Sequence, residues 1–324
     1  MGGWRARDIP DLSGRYAVVT GANSGLGFHT ALELARHGAE VVLAARSRGK
    51  GERAVLRIQW QVPGARVVLR RLDLADLESV REFAERVDRP LDLLVNNAGV
   101  MAIPPRQTHD HFEMQLGVNH LGHFALTGLL LPRLLERPGA RVVTVSSGAH
   151  RIGRIDFADL MSERSYQPWA AYGRSKLANL LFMRELDRRA RAAGLDLVSV
   201  AAHPGFASTN LQYVGPRMAR RRLTGAAMHV ATHTLGQSAA RGALPQLYAA
   251  TAPDVVGGEF FGPRGLAEQR GLPTRVSMSA LARDDVLAEL LWEESERLTR
   301  VRFPALSRRT IDLRASERSR TARE

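Results

Sequence analysis

From Arg15 to Val95 the chain alternates short β-branched runs with stretches whose apolar residues recur at helical spacing. Such an alternation folds most readily as a parallel sheet covered by helices. Strands are expected at Arg15–Thr20, Glu40–Ala45, Arg66–Leu72 and Leu91–Val95, with helices at Gly27–His37, Gly49–Gln61 and Leu77–Val87. The pattern continues with a long helix over His109–Leu135, a strand over Arg141–Ser146, a helix over Ala171–Ala193 closed by Gly194, and a strand over Leu195–Ala201. A last strand is expected at Gly258–Phe261. The fold class is therefore α/β, a doubly wound and mostly parallel seven-stranded sheet with helices on both faces.

No linker interrupts this pattern, and 324 residues at 44% hydrophobic composition are enough for one large domain with a buried core. Residues 1–11 read as an N-terminal extension and 12–306 as the domain, with a lid over about 206–241. The end, 307–324, is rich in Arg, Ser and Glu and is expected to be a disordered tail. The chain has no cysteine, so thiolate ligands and cysteine nucleophiles are excluded. Met1–Pro10 already carries Arg5, Arg7 and Asp8, unlike a secretory leader, and the apolar stretch Phe124–Leu131 is too short to span a bilayer. A cytoplasmic setting is expected. The net charge of +13 raises nucleic acid as a partner, with Arg217–Arg222 as its place. The arginines read as scattered among Glu and Asp, however, and no nucleic-acid partner is expected.

Between the first strand and the first helix lies Thr20-Gly21-Ala22-Asn23-Ser24-Gly25-Leu26-Gly27. Glycines there let the backbone turn with positive φ and approach a pyrophosphate, whose charge the helix N-terminus favours. A dinucleotide carrying a free 2′-hydroxyl calls for an acid at the end of the second strand, whereas a 2′-phosphate calls for a cation. Here that strand ends Ala44-Ala45-Arg46, so NADP(H) is favoured over NAD(H). Asp73, followed by Leu74, could accept from the adenine amino group or cap the next helix.

At the end of the fourth strand stand Asn96-Asn97-Ala98-Gly99, small and polar where an open α/β sheet presents its ligand crevice. Tyr172 and Lys176, four residues apart on a helix, share one face. A tyrosine is a poor base near its ordinary pKa of about 10, and a nearby ammonium is expected to stabilise its phenolate.

In this order, the glycine loop, Asn96–Gly99, a serine after the next strand and Tyr172-x-x-x-Lys176 resemble the short-chain dehydrogenase/reductase family, over about Leu12–Phe261. Asn96–Met101, Val118–Gly122, Tyr172–Leu181 and His203–Gly205 are most similar in wording to retinol-dehydrogenase-like members. The resemblance implies one Rossmann-type domain with Asn119, Ser147, Tyr172 and Lys176 as the catalytic set, Ser146 being the less favoured serine. It implies cofactor contacts from Gly21, Asn23, Ser24, Gly25, Leu26, Gly27, Arg46, Asp73, Leu74, Asn97, Ala98, Gly99, Tyr172, Lys176, Pro204, Gly205 and Thr209. Met101, Ser147, Trp169, Phe206 and Tyr213 would meet the substrate, no metal is needed, and a homodimer is a family expectation. Asn119 would hold a water linking Lys176 to solvent, and His203 would be a structural neighbour. The implied activity is NADP(H)-dependent interconversion of a carbonyl and an alcohol on a lipophilic small molecule. The alternative is a catalytically silent NADP(H)-sensing regulatory protein.

Overall fold

A computed structural model describes residues 3–205 and 237–306. Among the described residues eight strands form a single sheet: β1 (Tyr16–Thr20), β2 (Glu40–Ala45), β3 (Val67–Arg71), β4 (Leu93–Asn96), β5 (Ala140–Val145), β6 (Leu197–Ala202), β7 (Phe260–Pro263) and β8 (Pro273–Arg275). Their order is β3-β2-β1-β4-β5-β6-β7-β8, and every pairing is parallel except β7 with β8. Val18 lies between Val42 on β2 and Leu94 on β4. The strand order reverses between β1 and β4, which opens a crevice at the strands' carboxyl ends.

The helices are α1 (Gly25–Arg36), α2 (Arg48–Gln61), α3 (Leu77–Glu85), α4, α5 (Pro168–Ala192), α6 (Leu244–Thr251) and α7 (Asp285–Thr299). α4 is composite, with α turns at Met114–Leu116, a π turn at Gly117–Leu121 and an α segment at Gly122–Leu135. All five residues of β1 are buried, and alternate positions feed two cores. Val18, Leu94 and Val142 join Phe83, Phe124, Phe182 and Trp292 on one face. Val19, Val95 and Val143 join Phe28, Leu34, Ile58 and Leu247 on the other. Each large apolar side chain so buried contributes about 1.5–3 kcal/mol relative to exposure.

Two expectations are corrected, and one unforeseen helix is added. The sheet has eight strands rather than seven, because the antiparallel Pro273–Arg275 extends it beyond the strand expected to be last, which runs Phe260–Pro263. α7 then follows. Its Asp284 cap accepts from Leu287 N at 2.9 Å, and Trp292 stacks on Phe182 with ring centroids 5.8 Å apart. The long helix begins at Met114 and not at His109. His111 adopts positive φ (63°), Gln107 bridges Glu113, and the Glu113 carboxylate caps the helix by accepting from Gln115 N and Leu116 N at 2.8 and 2.7 Å.

Candidate active site

The loop after β1 is built for close approach. Gly21 has φ +66°, and a Cβ there would lie 3.0 Å from Ala98 Cα; one on Gly27 would meet Asn97 Nδ2 at 2.5 Å and Gly21 O at 2.7 Å. Gly25, opening α1, also has positive φ (58°). Ser24 is the N-cap but makes no side-chain cap bond, so its hydroxyl and the first N–H groups of α1 have no partner in each other. Asn23 and Leu26 are half-buried in the same loop.

Arg46, exposed just past β2, lies with Nε 3.9 Å from Asp73 Oδ2. No carboxylate ends β2. Asp73 is not the cap of α3, as one reading of the sequence allowed. Its Oδ1 accepts from Ala75 N at 3.1 Å, while Asp76 Oδ1 accepts from Glu78 N and Ser79 N at 3.0 and 3.3 Å. Leu74 is buried, with its carbonyl against Gly122 of α4. A glycine cradle that side chains would fill, an unused helix N-terminus and an exposed guanidinium at the end of β2 together fit a nicotinamide dinucleotide.

The loop after β4 is held by a residue the sequence reading passed over. Asn97 N and Ala98 N both donate to Thr20 Oγ1 at 2.9 Å, and Asn97 Nδ2 donates to Thr20 O at 2.7 Å. Thr20 Oγ1 lies 2.8 Å from His123 Nε2, and His123 Nδ1 lies 3.0 Å from Asn119 O. A carbonyl only accepts, so Nδ1 carries the hydrogen and Nε2 accepts the hydrogen bond donated by Thr20 Oγ1. Burial drives the His123 pKa down to about 4, which keeps the ring neutral as this arrangement requires.

Asn119, in the π turn, is also a clamp. Its Oδ1 accepts from Val100 N at 2.8 Å, and its Nδ2 donates to Val100 O at 2.9 Å and to Ser175 Oγ at 2.8 Å. A Cβ on Gly99 would lie 3.0 Å from Asn119 Oδ1 and 3.6 Å from Lys176 Nζ, so no side chain fits there. Gln115, likewise unforeseen, ties the next part of the loop to the start of α5. It accepts from Ala102 N at 2.8 Å and donates to Tyr166 Oη and Pro168 O, each at 2.9 Å.

Tyr172 and Lys176 are both buried on α5. The two serines after β5 divide cleanly. Ser146 Oγ donates to Lys176 O at 2.8 Å, whereas the half-buried Ser147 accepts from Ala149 N at 3.2 Å and neighbours Tyr172. Lys176 Nζ donates to Val145 O at 3.1 Å and sits 5.7 Å from the centre of the Tyr172 ring.

The expected lowering of the tyrosine by this ammonium is not what governs here. Burial pushes Tyr172 up to about 12, against the lowering influence of the neighbouring Ser147 hydroxyl, and pushes Lys176 down to about 8. Trp169 stands edge-on to Tyr172 with ring centroids 6.0 Å apart, half exposed, and Met101 lies in the half-buried loop after Gly99.

The Pro204–Gly205 turn follows β6. Gln237 Nε2 donates to Pro204 O at 2.7 Å, and Gly205 has φ +62°. His203 accepts from Gly205 N at 3.2 Å on Nδ1 and points Nε2 at Glu268 Oε2, 3.0 Å away. Phe206, Thr209 and Tyr213 lie outside the described residues, as does most of the expected lid. No described helix is long and apolar enough to cross a membrane.

Residues 15–216 match the family model for short chain dehydrogenases. Mouse retinol dehydrogenase 12 is 41% identical over 289 residues, covering 88% of this chain and 86% of that one. Among solved structures, an uncharacterised protein of Mycobacterium paratuberculosis is 47% identical with a TM-score of 0.79, covering 94% of this chain and all (100%) of that one. A Beutenbergia cavernae structure with NADP bound, described provisionally as an NAD(P)-dependent gluconate 5-dehydrogenase, is 27% identical with a TM-score of 0.60, covering 77% of this chain and 95% of that one. The chain belongs to the short-chain dehydrogenase/reductase family, retinol-dehydrogenase-like oxidoreductases that act on CH–OH groups with a nicotinamide cofactor.

Proposed function

We propose that this enzyme uses NADP(H) to interconvert a carbonyl and an alcohol on a lipophilic small molecule, with Tyr172 as the acid/base. The observation that carries this reading is the buried Tyr172 beside Ser147, the residue that follows β5 by two positions, with Lys176 buried one helical turn away. The nicotinamide, when bound, supplies or takes the hydride.

In the reducing direction, Ser147 Oγ and Tyr172 Oη hold the substrate oxygen, and Tyr172 gives it a proton. A phenol pushed up to about 12 is fully protonated at neutral pH, which suits a proton donor. Lys176 Nζ, beside Gly99 and Val145 O, meets the nicotinamide ribose and supports the return of the proton. Asn119 keeps Val100, and with it Gly99, in place. Arg46 meets the 2′-phosphate and Asp73 the adenine. Gly21, Asn23, Ser24, Gly25, Leu26, Gly27, Leu74, Asn97, Ala98, Pro204, Gly205 and Thr209 complete the cofactor contacts.

The lipophilic substrate class is supported by Trp169 beside Tyr172, by Met101 in the loop after Gly99, and by the retinol named for the mouse relative.

The test is binding of NADPH and NADH by fluorescence, then turnover on a panel of retinoid and other lipophilic aldehydes and ketones. The expectation is tighter NADPH binding, with turnover lost in Tyr172→Phe while NADPH binding is kept. Equal affinity for the two nucleotides would overturn the NADP(H) reading, and undiminished turnover in Tyr172→Phe would overturn the proton donor.

A further inference from the structure

The positive charge is less scattered than the sequence suggested. From Arg46 to Arg71 the chain carries eight cations and one carboxylate, Glu52. Arg48 pairs with that carboxylate at 2.8 Å, and among the described residues no carboxylate pairs with Lys50, Arg53, Arg57, Arg66 or Arg71. The segment forms one edge of the molecule, because β3 is the terminal strand of the sheet and α2 covers it.

The same edge exposes large apolar groups. Gly51, Ala54 and Ile58 turn α2 inward, leaving Arg53, Leu56, Arg57 and Trp60, spaced i, i+3, i+4, i+7, on its outer face. Leu56 is 65% exposed and Trp60 84%. A tryptophan and a leucine standing in water amid unpaired arginines are not explained by packing, solubility or the dinucleotide site.

We propose that the outer face of α2 docks onto an anionic phospholipid surface. Arginines at the rim would meet lipid phosphates, while the Trp60 ring and Leu56 enter the headgroup and acyl boundary, the combination a membrane interface accepts. A second copy of the chain is a poor occupant, because two such faces would each bring an excess of seven positive charges, eight cations less one carboxylate. A nucleic acid would satisfy the cations but gives no comparable reason for Leu56 to stand out at the centre of the face. The proposal does not depend on the catalytic reading, since Arg53, Leu56, Arg57, Trp60 and Arg66 lie outside the active site, and only Arg46 of the eight cations is shared with it.

The experiment is flotation of the full chain with phosphatidylcholine vesicles, with and without phosphatidylglycerol, at low and high salt. It compares wild type with Leu56→Ser/Trp60→Ser and with Arg53→Gln/Arg66→Gln, using NADPH binding and thermal midpoint as controls of folding. Wild type is expected to float only with phosphatidylglycerol vesicles, and less so at high salt. Each arginine removed should weaken partitioning about fivefold. The apolar pair should weaken it by about tenfold or more. Trp60 emission should shift to the blue on vesicle addition, a shift absent from its serine variant. No flotation of wild type, or flotation of the folded Leu56→Ser/Trp60→Ser protein equal to wild type, overturns the proposal. So does tighter binding to single-stranded RNA than to vesicles that is lost only with the arginines, which would make the face a nucleic-acid surface.

Discussion

In the proposed mechanism the charge of Lys176 serves catalysis, while its burial destabilises the fold, and the size of that cost can be worked out. Burial takes its pKa from the ordinary 10.5 to about 8. In free energy that is about 3 kcal/mol against the charged form in the folded protein. Below pH 8 the lysine is protonated folded and unfolded, so the folded state carries the whole penalty. Between about pH 8 and 10.5 the folded protein releases the proton first, and stability rises.

Lys176→Met keeps the length of the side chain and removes the charge. Val145 O keeps a donor in Asn179 Nδ2 at 3.0 Å, so no buried acceptor is orphaned. The variant should be inactive yet more stable than wild type by about 2–3 kcal/mol at neutral pH, with the advantage fading as pH approaches 10.5. Urea denaturation of both proteins without added nucleotide, repeated across that range, measures it. Tyr172 titrates in both and cancels from the difference. A variant less stable than wild type at neutral pH, or an advantage that does not change with pH, would refute the reasoning.

The same titration should show in catalysis. kcat/KM for carbonyl reduction is expected to fall as pH rises through about 8, where Lys176 loses its charge, and a profile flat into the Tyr172 range would contradict the role given to the ammonium. Thr20→Val removes the acceptor for Asn97 N and Ala98 N and the donor to His123; it should cost about 2–5 kcal/mol in urea unfolding, with Thr20→Ser largely restoring it. A loss below about 1 kcal/mol would show that the loop after β4 does not hang on this hydroxyl.

The sheet was legible because its strands are apolar on both faces and its helices keep their period, as in Tyr16–Thr20 followed by Gly25–Arg36. The strand β8 was not, because Pro273-Thr274-Arg275 has no apolar alternation and takes its place by pairing with β7. α7 was overlooked although Asp284 at its cap and Ala288, Leu291, Trp292, Ser295 and Thr299 on one face give an ordinary helical signal. At the candidate site, Tyr172 and Lys176 stood in recognisable spacing, and the structure places Ser147 beside Tyr172 and Lys176 Nζ 5.7 Å from the centre of its ring. Thr20, Gln115 and His123 escaped notice because they act on backbone groups from other elements, and nothing in their own neighbourhood of sequence announces those partners. The displacement of the tyrosine and lysine pKa values was equally hidden, since it follows from burial and not from spacing.

Those polar partners share a geometric debt to the π turn in α4. Gln115, Asn119 and His123 are four residues apart, and in a regular α-helix each such step drifts by about 40° around the axis. The wider turn at Gly117–Leu121 takes back part of that drift, so one otherwise apolar helix presents a polar rail along the rim of the crevice. The rail fastens Ala102, Val100 and Thr20 in succession. The count of residues between Gln115 and His123 therefore sets the alignment of the loop after β4 as firmly as the identities of the side chains do.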